Sequence, residues 1–388
     1  AYLSEEEVET EIDNLEAILH FDSGNADLAA RLGKLAQRAE DWDKAEEVLT
    51  PFMNAEDVSQ TPQPILRELG ITLCRKYSQG SEQYRLGQSF LAVASEPEHG
   101  DVDAMCSYAG TWKRIDEAKV RELYRRAFET DPYNTYALGS YLEHELPHTP
   151  GVLTAARPLI EKAIERCRAH VDAQINLPWA YYDMGKFYLL LDKPFKSLDA
   201  YAKALSVSTA TFMVETSLAS IKRLAEVGNQ FRGFEWVNRL LTLGLAARLP
   251  TREERAEAVN HLATEGAEPI HGPALIVAGG TDPRIEAQMR SYSALVTEAL
   301  AGFEGTVLSG GTTQGISGMV GDAAQANPGQ FQTVGYLPDL LPKDATADKD
   351  LTRYTEIRHT DGQGFTPLEP LQNWIDLLTS GVSPESVR

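Results

Sequence analysis

Two short stretches decide the fold: Leu275-Ile276-Val277-Ala278-Gly279-Gly280-Thr281-Asp282 and Val307-Leu308-Ser309-Gly310-Gly311-Thr312-Thr313-Gln314-Gly315. Each is an apolar run that stops at two glycines and then leads into a helical pattern. Such runs are typical of strands buried on both faces of a parallel sheet. Glycine lets the backbone turn sharply and approach a ligand, and a helix start offers unpaired N–H groups to an anion. Two such units side by side predict a nucleotide-type ligand site in an open α/β sheet.

The sequence around these stretches alternates between strand and helix patterns, which predicts a parallel sheet with right-handed crossovers. Asp282 is a suitable helix N-cap, and Pro283 fits the first helical turn. A glycine-bearing loop is predicted over His359–Phe365. The predicted strands are Ala274–Ala278, Thr306–Ser309, Gln332–Tyr336 and Tyr354–Arg358, and the predicted helices are 282–300, 315–326 and 368–378.

Residues 10–245 show helical periodicity with small residues at recurring positions. Gly33, Gly70, Gly139 and Gly185 each follow a Leu or Met and precede a further apolar position three or four residues on. Tyr124, Ala127 and Pro132 close a further unit between the second and third of these. Small residues let two helices approach closely, and the five units in series resemble the tetratricopeptide repeat of about 34 residues. The resemblance implies paired antiparallel helices in a superhelix, with no strand and with a concave face for a protein partner or a second copy.

Two interpretations of this helical array stay open. It is either a plain scaffold or oligomerisation surface, or a groove that binds a peptide. Trp179, Tyr181 and Tyr182 are candidates to line such a groove, although an aromatic cluster in a helix more often belongs to the core.

The domain boundaries follow from helix-breaking residues. Leu249-Pro250 ends the last repeat helix, and Thr251 can cap a short helix over 252–264. Gly and Pro residues then mark a connector. The predicted organisation is a tetratricopeptide-like array over 1–250, a helical linker over 251–272 and an α/β domain over 273–388.

Composition excludes several classes of protein. The net charge is −21, which argues against a general nucleic-acid or anionic-membrane surface. No apolar run approaches the ~20 residues of a membrane span, and the acidic start of the chain is the opposite of a signal peptide. Cys74, Cys106 and Cys167 lie far apart, so we expect free thiols in a reducing cytoplasm and no structural metal or cofactor.

One segment imitates a zinc protease. His144-Glu145-Leu146-Pro147-His148 fits the HExxH pattern, which requires both histidines on one continuous helix. Pro147 lacks the helical N–H and disfavours the helical conformation of the residue before it. We therefore predict that this segment is an inter-helix turn without a metal.

Two phosphate-binding motifs are incomplete in the α/β region. Gly310 and Gly315 have the spacing of a P-loop, but Ile316-Ser317 follows where that motif has Lys and then Ser or Thr. The G-x-G-x-x-G spacing of dinucleotide-binding folds is also absent. Classical ATPase and dehydrogenase functions are therefore disfavoured.

The glycine loops, together with Gly318 and Val320-Gly321-Asp322-Ala323-Ala324, resemble the SLOG superfamily over about 115 residues. The resemblance is to the branch at the N-terminus of TRPM channels and in bacterial defence proteins, which is similar to the LSDAT group. It implies a Rossmann-like domain that binds a nucleotide or an NAD-derived signal such as ADP-ribose or cyclic ADP-ribose. Fused to tetratricopeptide-like repeats, it implies a prokaryotic signalling or antiviral defence protein.

The sequence departs from this superfamily in two ways. Related cytokinin-activating enzymes carry a PGGxGTxxE motif, but Ser309–Gly318 contains no carboxylate, which favours sensing over hydrolysis. The chain stops at Arg388, where the resemblance implies a further strand and glycine-rich loop. We therefore expect a domain that is partial or completed by other means.

The leading hypothesis is a sensor or adaptor without catalytic residues. The alternatives are a hydrolase of a nucleotide N-glycosidic or phosphate bond, with Asp361 as the spare acid, and a scaffold that binds no ligand. The candidate ligand-binding residues lie at strand ends or follow them: Gly279, Gly280, Thr281, Arg284, Ser309, Gly310, Gly311, Thr312, Thr313, Gly315, Arg358, His359 and Asp361.

Overall fold

The computed structural model of the chain describes residues 5–279 and 284–388. The chain divides into two compact units, Ala1–Val237 and Asn238–Arg388. The predicted boundaries at 250 and 272 stay predictions.

The first unit is helical, and between residues 10 and 245 the structure contains helices and connecting turns but no strand. This confirms the prediction of a tetratricopeptide-like array. The last of its helices continues into the second unit. The helices are α1 (Glu5–Phe21), α2 (Ala26–Arg38), α3 (Trp42–Leu49), α4 (Gln63–Lys76), α5 (Glu82–Ala94), α6 (Val102–Thr111), α7 (Glu117–Thr130), α8 (Thr135–Glu145), α9 (Val152–Asp172), α10 (Trp179–Leu190), α11 (Pro194–Val207), α12 (Thr211–Arg223), α13 (Ala225–Gly228) and α14 (Phe234–Ala246).

Polar side chains define where many of these helices begin. Asn25, Asp41, Ser81, Asp101 and Asp116 each accept a hydrogen bond from the backbone N–H three residues further on. Such caps satisfy N–H groups that have no partner within the helix, each contributing about 1 kcal/mol.

The repeat glycines lie where two helices touch. A Cβ on Gly33 would lie 2.8 Å from the side chain of Leu49, and one on Gly185 would lie 2.7 Å from the ring of Tyr201. Both partners belong to the second helix of the same pair. The five predicted units therefore correspond to the pairs α2–α3, α4–α5, α6–α7, α8–α9 and α10–α11.

The second unit is built around a four-stranded parallel sheet in the order β1-β2-β3-β4. The predicted fold class, a helical array followed by a parallel-sheet domain, is confirmed. Its elements are α15 (Arg252–Val259), β1 (Ala274–Ile276), α16 (Glu286–Arg290), α17 (Ser293–Leu300), β2 (Thr306–Ser309), α18 (Gly315–Ala326), β3 (Gln332–Leu340), β4 (Glu356–Gln363) and α19 (Leu368–Thr379).

The two faces of the sheet carry separate apolar cores, because successive strand residues point to opposite sides. Leu308 and Tyr336 pack with Leu377 of α19 on one face. On the other face, Val307 packs with Val320 of α18 and with Tyr354. Helices therefore cover both faces, which explains why the strands read as continuous apolar runs.

Several predicted boundaries are wrong. β3 runs on to Leu340, past the predicted end at Tyr336, and its extension pairs with β4, so His359 lies in a strand and not in the predicted loop. Pro338 is tolerated in this extension because β2 ends at Ser309, opposite Gly335, so that β3 is an edge strand on that side beyond Gly335. β1 is two residues shorter than predicted.

Two predicted helices are also shorter than expected. The helix predicted over 282–300 is divided into α16 and α17, and the Ser291 hydroxyl at the break donates to the carbonyl of Gln288. The predicted cap at Asp282 lies outside the described residues. The helix predicted over 252–264 ends at Val259, and the backbone N–H of Thr264 donates to Asp376 instead of continuing a helix.

Candidate functional site

The carboxyl ends of the four parallel strands share one edge of the sheet, and most predicted ligand-binding residues lie there. Gly279 follows β1, Ser309 ends β2, and the loop from Gly310 to Gly315 leads into α18. Gly280 and Thr281 lie outside the described residues. Arg284 is exposed just before α16.

The glycines of this edge contact other parts of the same domain. Gly311 has a left-handed backbone (φ +66°), and a Cβ there would lie 3.1 Å from the Cα of Gly335 on β3. A Cβ on Gly310 would lie 2.6 Å from the hydroxyl of Ser317, and one on Gly279 would lie 2.6 Å from Ile316. Packing within the domain therefore accounts for these three glycines: Gly279 and Gly310 lie against α18, and Gly311 lies against β3 and β4.

The loop after β2 is held by the segment Thr346–Asp348. The backbone N–H of Thr313 donates to the carbonyl of Thr346 at 3.0 Å, and Thr312 forms an antiparallel bridge with Ala347. The N–H of Asp348 donates in turn to the carbonyl of Gly311 at 2.9 Å. These three contacts therefore fix the conformation of the loop.

The first turn of α18 already contacts an anionic group of this chain. The backbone N–H of Gly315 donates to Oε2 of Glu286 at 3.1 Å, and Oε1 lies 3.4 Å away. The same carboxylate forms an ion pair with Arg290 at 3.1 Å. Helix N-termini favour negative charge, so Glu286 occupies the position where the sequence predicts a ligand anion.

Ser309 is buried, and its hydroxyl donates to the carbonyl of Val277 at 2.7 Å, which ties β2 to the end of β1. Thr312 is buried as well, and its hydroxyl donates to the carbonyl of Gln314. These two hydroxyl groups therefore shape the loop.

Arg358 points away from the glycine loops, into the interior beneath α19. Its guanidinium donates to Asp376 and to Glu356, both at 2.9 Å, and to the hydroxyl of Tyr336 at 3.2 Å. A further bond reaches the carbonyl of Glu268. Burial lowers the pKa of Arg358, but these anionic partners outweigh it and raise the pKa above its ordinary value. The guanidinium therefore has a full set of partners within the domain.

His359 and Asp361 are exposed on β4, and strand alternation places them on the other face from Arg358. Ile357 of that face lies beside Gly311, and His359 is in register with Leu337. His359 and Asp361 therefore follow Ile357 on the face of β4 that contacts the loop after β2.

After β4 and α19 the chain returns to the free side of β1, so the order in which its segments follow one another across the sheet reverses there. Val387 pairs with Ala274 in parallel, on the edge opposite β2, and the N–H of Ile276 donates to the carbonyl of Arg388 at 2.8 Å. The connection to Val387 runs through α19, on the other face from α18. In open α/β sheets ligands bind where the order reverses, at the carboxyl ends of the strands. Here that point adjoins the loop after β1.

A concavity lies at the other end of β1, next to its amino terminus. It has a volume of about 430 Å³ and is bordered by Arg252, by 270–273 and by 380–383 with Ser386. No sequence signal distinguished these residues, because they come from three separate segments.

The first unit has a candidate surface of its own, which we call the inner face: the side of α4, α8 and α10 that α12 covers. The backbone N–H of Phe212 donates to Glu40, 172 residues earlier in the chain, and its ring contacts those of Trp42 and Trp179. The guanidinium of Arg75 lies 5.3 Å above the same ring. α12 therefore crosses the inner face and is anchored to it at Phe212.

The zinc-protease pattern is interrupted as the sequence predicts. α8 ends at Glu145, so His144 is helical and His148 lies beyond Pro147. The Nδ1 of His144 contacts Glu117 at 2.6 Å, and Glu145 pairs with two arginines of α7. Among the described residues no group of three or more His, Cys, Asp or Glu side chains is arranged to hold a metal ion.

No protein-family model matches the sequence. No curated protein matches it either. Among solved structures the chain is similar to YrrB, a tetratricopeptide repeat protein described as having an unusual peptide-binding site, with 15% identity, a TM-score of 0.28, and coverage of 54% of this chain and 97% of that one. Because identity and TM-score are low, the fold described above rests on the helices, strands and contacts of this chain alone.

None of the helices in the described residues is both long enough and apolar enough to span a bilayer.

Proposed function

We propose that this chain is a non-enzymatic adaptor whose helical array binds a protein partner and whose α/β domain binds an anionic, nucleotide-derived ligand. The resemblance to SLOG domains of defence proteins suggests that the ligand is a signal such as ADP-ribose. The array supports a protein-binding or scaffolding role, because stacked helix pairs present a long continuous surface.

The observation that carries the ligand proposal is the bond between Glu286 and the Gly315 amide. It marks the α18 N-terminus as a place that accepts an oxyanion, at the edge where open sheets bind ligands. The bonds from the segment Thr346–Asp348 to the loop after β2 support it further, because a loop that the domain itself holds in place loses less entropy on binding. In the proposed complex, a ligand phosphate replaces the Glu286 carboxylate.

Replacing Glu286 with Gln tests this idea. The variant loses a competing negative charge and leaves Arg290 without its ion pair, so an anionic ligand should bind about five- to tenfold more tightly, a change of about 1–1.4 kcal/mol. ADP-ribose, cyclic ADP-ribose, NAD and cyclic nucleotides are titrated calorimetrically into the full chain. Glu298→Gln, which removes the same charge from an exposed position on α17, is the matched control.

A scaffold without a ligand is the second candidate, and the glycine contacts favour it, because packing alone explains Gly279, Gly310 and Gly311. The titration separates the two functions. Binding that is tighter in Glu286→Gln than in wild type, and unchanged in Glu298→Gln, supports the adaptor. Absence of binding for every compound in wild type and in Glu286→Gln supports the scaffold.

A further inference from the structure

A buried carboxylate in the first unit forms ion pairs with cations from two helices. Glu143 on α8 has a side chain only 2% exposed. Its oxygens bond Lys186 of α10 at 3.2 Å, Ser220 of α12 at 2.5 Å and the guanidinium of Arg223 at the end of α12. Burial opposes ionisation of Glu143, but the charges of Lys186, Arg223 and Lys113 outweigh it and hold its pKa well below the usual value.

The third cation, Lys113, lies in the turn after α6 and has no anionic partner among the described residues. Its ammonium lies 5.1 Å from the ring centroid of Tyr124 on α7. The pKa of Lys113 is lowered to about 8: burial is the main cause, the Glu143 charge opposes it, and the charges of Arg223 and Lys186 add to it.

The cluster therefore has three cations around the Glu143 carboxylate, which gives a local excess of positive charge. The carboxyl group of Asp183 on α10 interacts with Lys186 and offsets part of this excess, although burial raises its pKa. Burial also raises the pKa of the Cys106 thiol on α6 and lowers that of His144 on α8, which favours their neutral forms. Tyr124 is also held neutral by burial.

Such an excess is unusual in a chain with a net charge of −21. Concentrating like charges away from water is costly unless a counter-charge is present. Solvent still reaches the cluster, because the side chain of Arg223 is 30% exposed and that of Lys186 is 12% exposed. The buried hydroxyl of Tyr124 has no hydrogen-bond partner within residues 5–279 and 284–388.

We propose that Lys113, Lys186 and Arg223 form a binding site on the inner face for a compact oxyanion, a phosphate or a phosphate monoester. Glu143 positions two of the three cations, and the bound anion offsets the excess positive charge. Because Arg223 belongs to α12, the anion also fixes that helix to α6, α8 and α10. This site lies in the other unit from the glycine-rich edge and does not depend on the function proposed there.

The proposal makes the affinity depend on pH in a defined direction. Lys113 binds the anion in its charged form, so affinity should be greatest below pH 8 and should decrease up to tenfold per pH unit above it. Sulfate is the probe for this measurement, because it stays dianionic across the whole range. A Lys113→Arg variant keeps its charge at these pH values, so it should bind sulfate without this pH dependence.

Lys113→Met is the decisive variant. We expect it to bind phosphate at least tenfold more weakly at pH 7, because a charged hydrogen-bond donor is lost. We also expect its Tm without phosphate to be higher than that of wild type by about 2 °C, because an uncompensated buried charge is removed. A purely structural lysine would give the opposite sign of stability change.

The measurements are calorimetric titration and thermal unfolding of the full chain, with chloride added to keep ionic strength constant. Lys203→Met, at an exposed position on α11, is the control and should match wild type in both. Comparison of inorganic phosphate, O-phosphoserine and AMP shows whether a free ion or a monoester is the better ligand. The proposal is overturned if phosphate and sulfate bind no more strongly than chloride, or if the Lys113→Met variant retains the wild-type affinity. Should Lys113→Met fail to fold, the pH profile of Lys113→Arg decides: the same decrease above pH 8 as in wild type overturns it.

Discussion

The two units of this protein are stabilised in different ways. The helix pairs of the array are held by contacts between neighbours in sequence, where small residues such as Gly185 admit a large side chain of the paired helix. The α/β domain is held by polar contacts between distant segments. Asp376 on α19 alone accepts bonds from Arg358, the Tyr336 hydroxyl, Thr264 and Gln372.

This difference explains why the helical array is easier to predict from its sequence than the α/β domain. A local apolar and small-residue pattern specifies which helices pair, because both partners lie within about one repeat. A buried polar network has no such period, and its members become neighbours only through the order and register of the strands. Functional candidates in the second unit are therefore easily confused with members of the network.

The largest effect should follow removal of Asp376. Asp376→Ala leaves the Arg358 guanidinium buried with one carboxylate fewer, and breaking a buried pair costs about 3–5 kcal/mol. Hydrogen exchange followed by mass spectrometry should show loss of protection in β3, β4 and α19, with α2–α11 unchanged. Asp350→Ala, at an exposed turn that caps Thr352, should change stability by less than about 0.5 kcal/mol. Equal loss of protection in both units would contradict the contrast between local and distant contacts.

A smaller effect separates two glycines that share a left-handed backbone. Gly311→Ala should cost about 2–3 kcal/mol, because a backbone strain of about 1–2 kcal/mol is combined with contact against Gly335 and Ile357. Gly329 has φ +74° and open space around it, so Gly329→Ala should show the strain alone. Chemical denaturation of both variants measures the difference.

The same pair changes how loss of ligand binding is interpreted. Gly311→Val is expected from the sequence to abolish nucleotide binding without disturbing the helices. The close contact with β3 shows that a branched side chain there would also destabilise the α/β domain. Loss of binding in that variant therefore does not identify a ligand contact, whereas Glu286→Gln leaves the packing intact.

In the array, two glycines at helix contacts should respond in opposite directions. Gly185→Ala places a Cβ against the ring of Tyr201, which is fully buried, and should cost about 1–2 kcal/mol after the gain in helix propensity. Gly139→Ala meets Lys186 only at 3.5 Å, so helix propensity should dominate and stabilise the array by about 0.5 kcal/mol. Urea midpoints test the pair, and a loss of stability in Gly139→Ala would show that the inner face is packed more tightly than the structure indicates.

Particular elements show how far the sequence goes. β2 and α18 lie within their predicted bounds, because a short apolar run, two glycines and an Ala-rich helix are all local signals. The extension of β4 through His359 was missed, since it depends on pairing with a β3 that runs four residues beyond its predicted end. The Glu286 contact and the cation cluster could not be predicted, because Glu286 bonds a residue 29 positions away and the cluster joins the α6 turn, α8, α10 and α12.

The smallest expected effect concerns catalysis at the glycine-rich edge. Glycosidic cleavage needs a carboxylate placed beside the bond. Asp361 is exposed there, and Glu286 is engaged by Gly315 and Arg290. Among the described residues of the domain, none buries the Asp361 side chain or bonds its carboxylate, so we expect no turnover. Asp361→Asn should change neither ligand recovery nor affinity by more than about twofold. Ligand incubated with the full chain is analysed by chromatography, with Asp339→Asn, at an exposed position on β3, as the control.

Multiple turnovers that disappear in Asp361→Asn but persist in Asp339→Asn would establish an enzyme. They would also show that a functional acid of this domain lies on an exposed strand end instead of within the polar network.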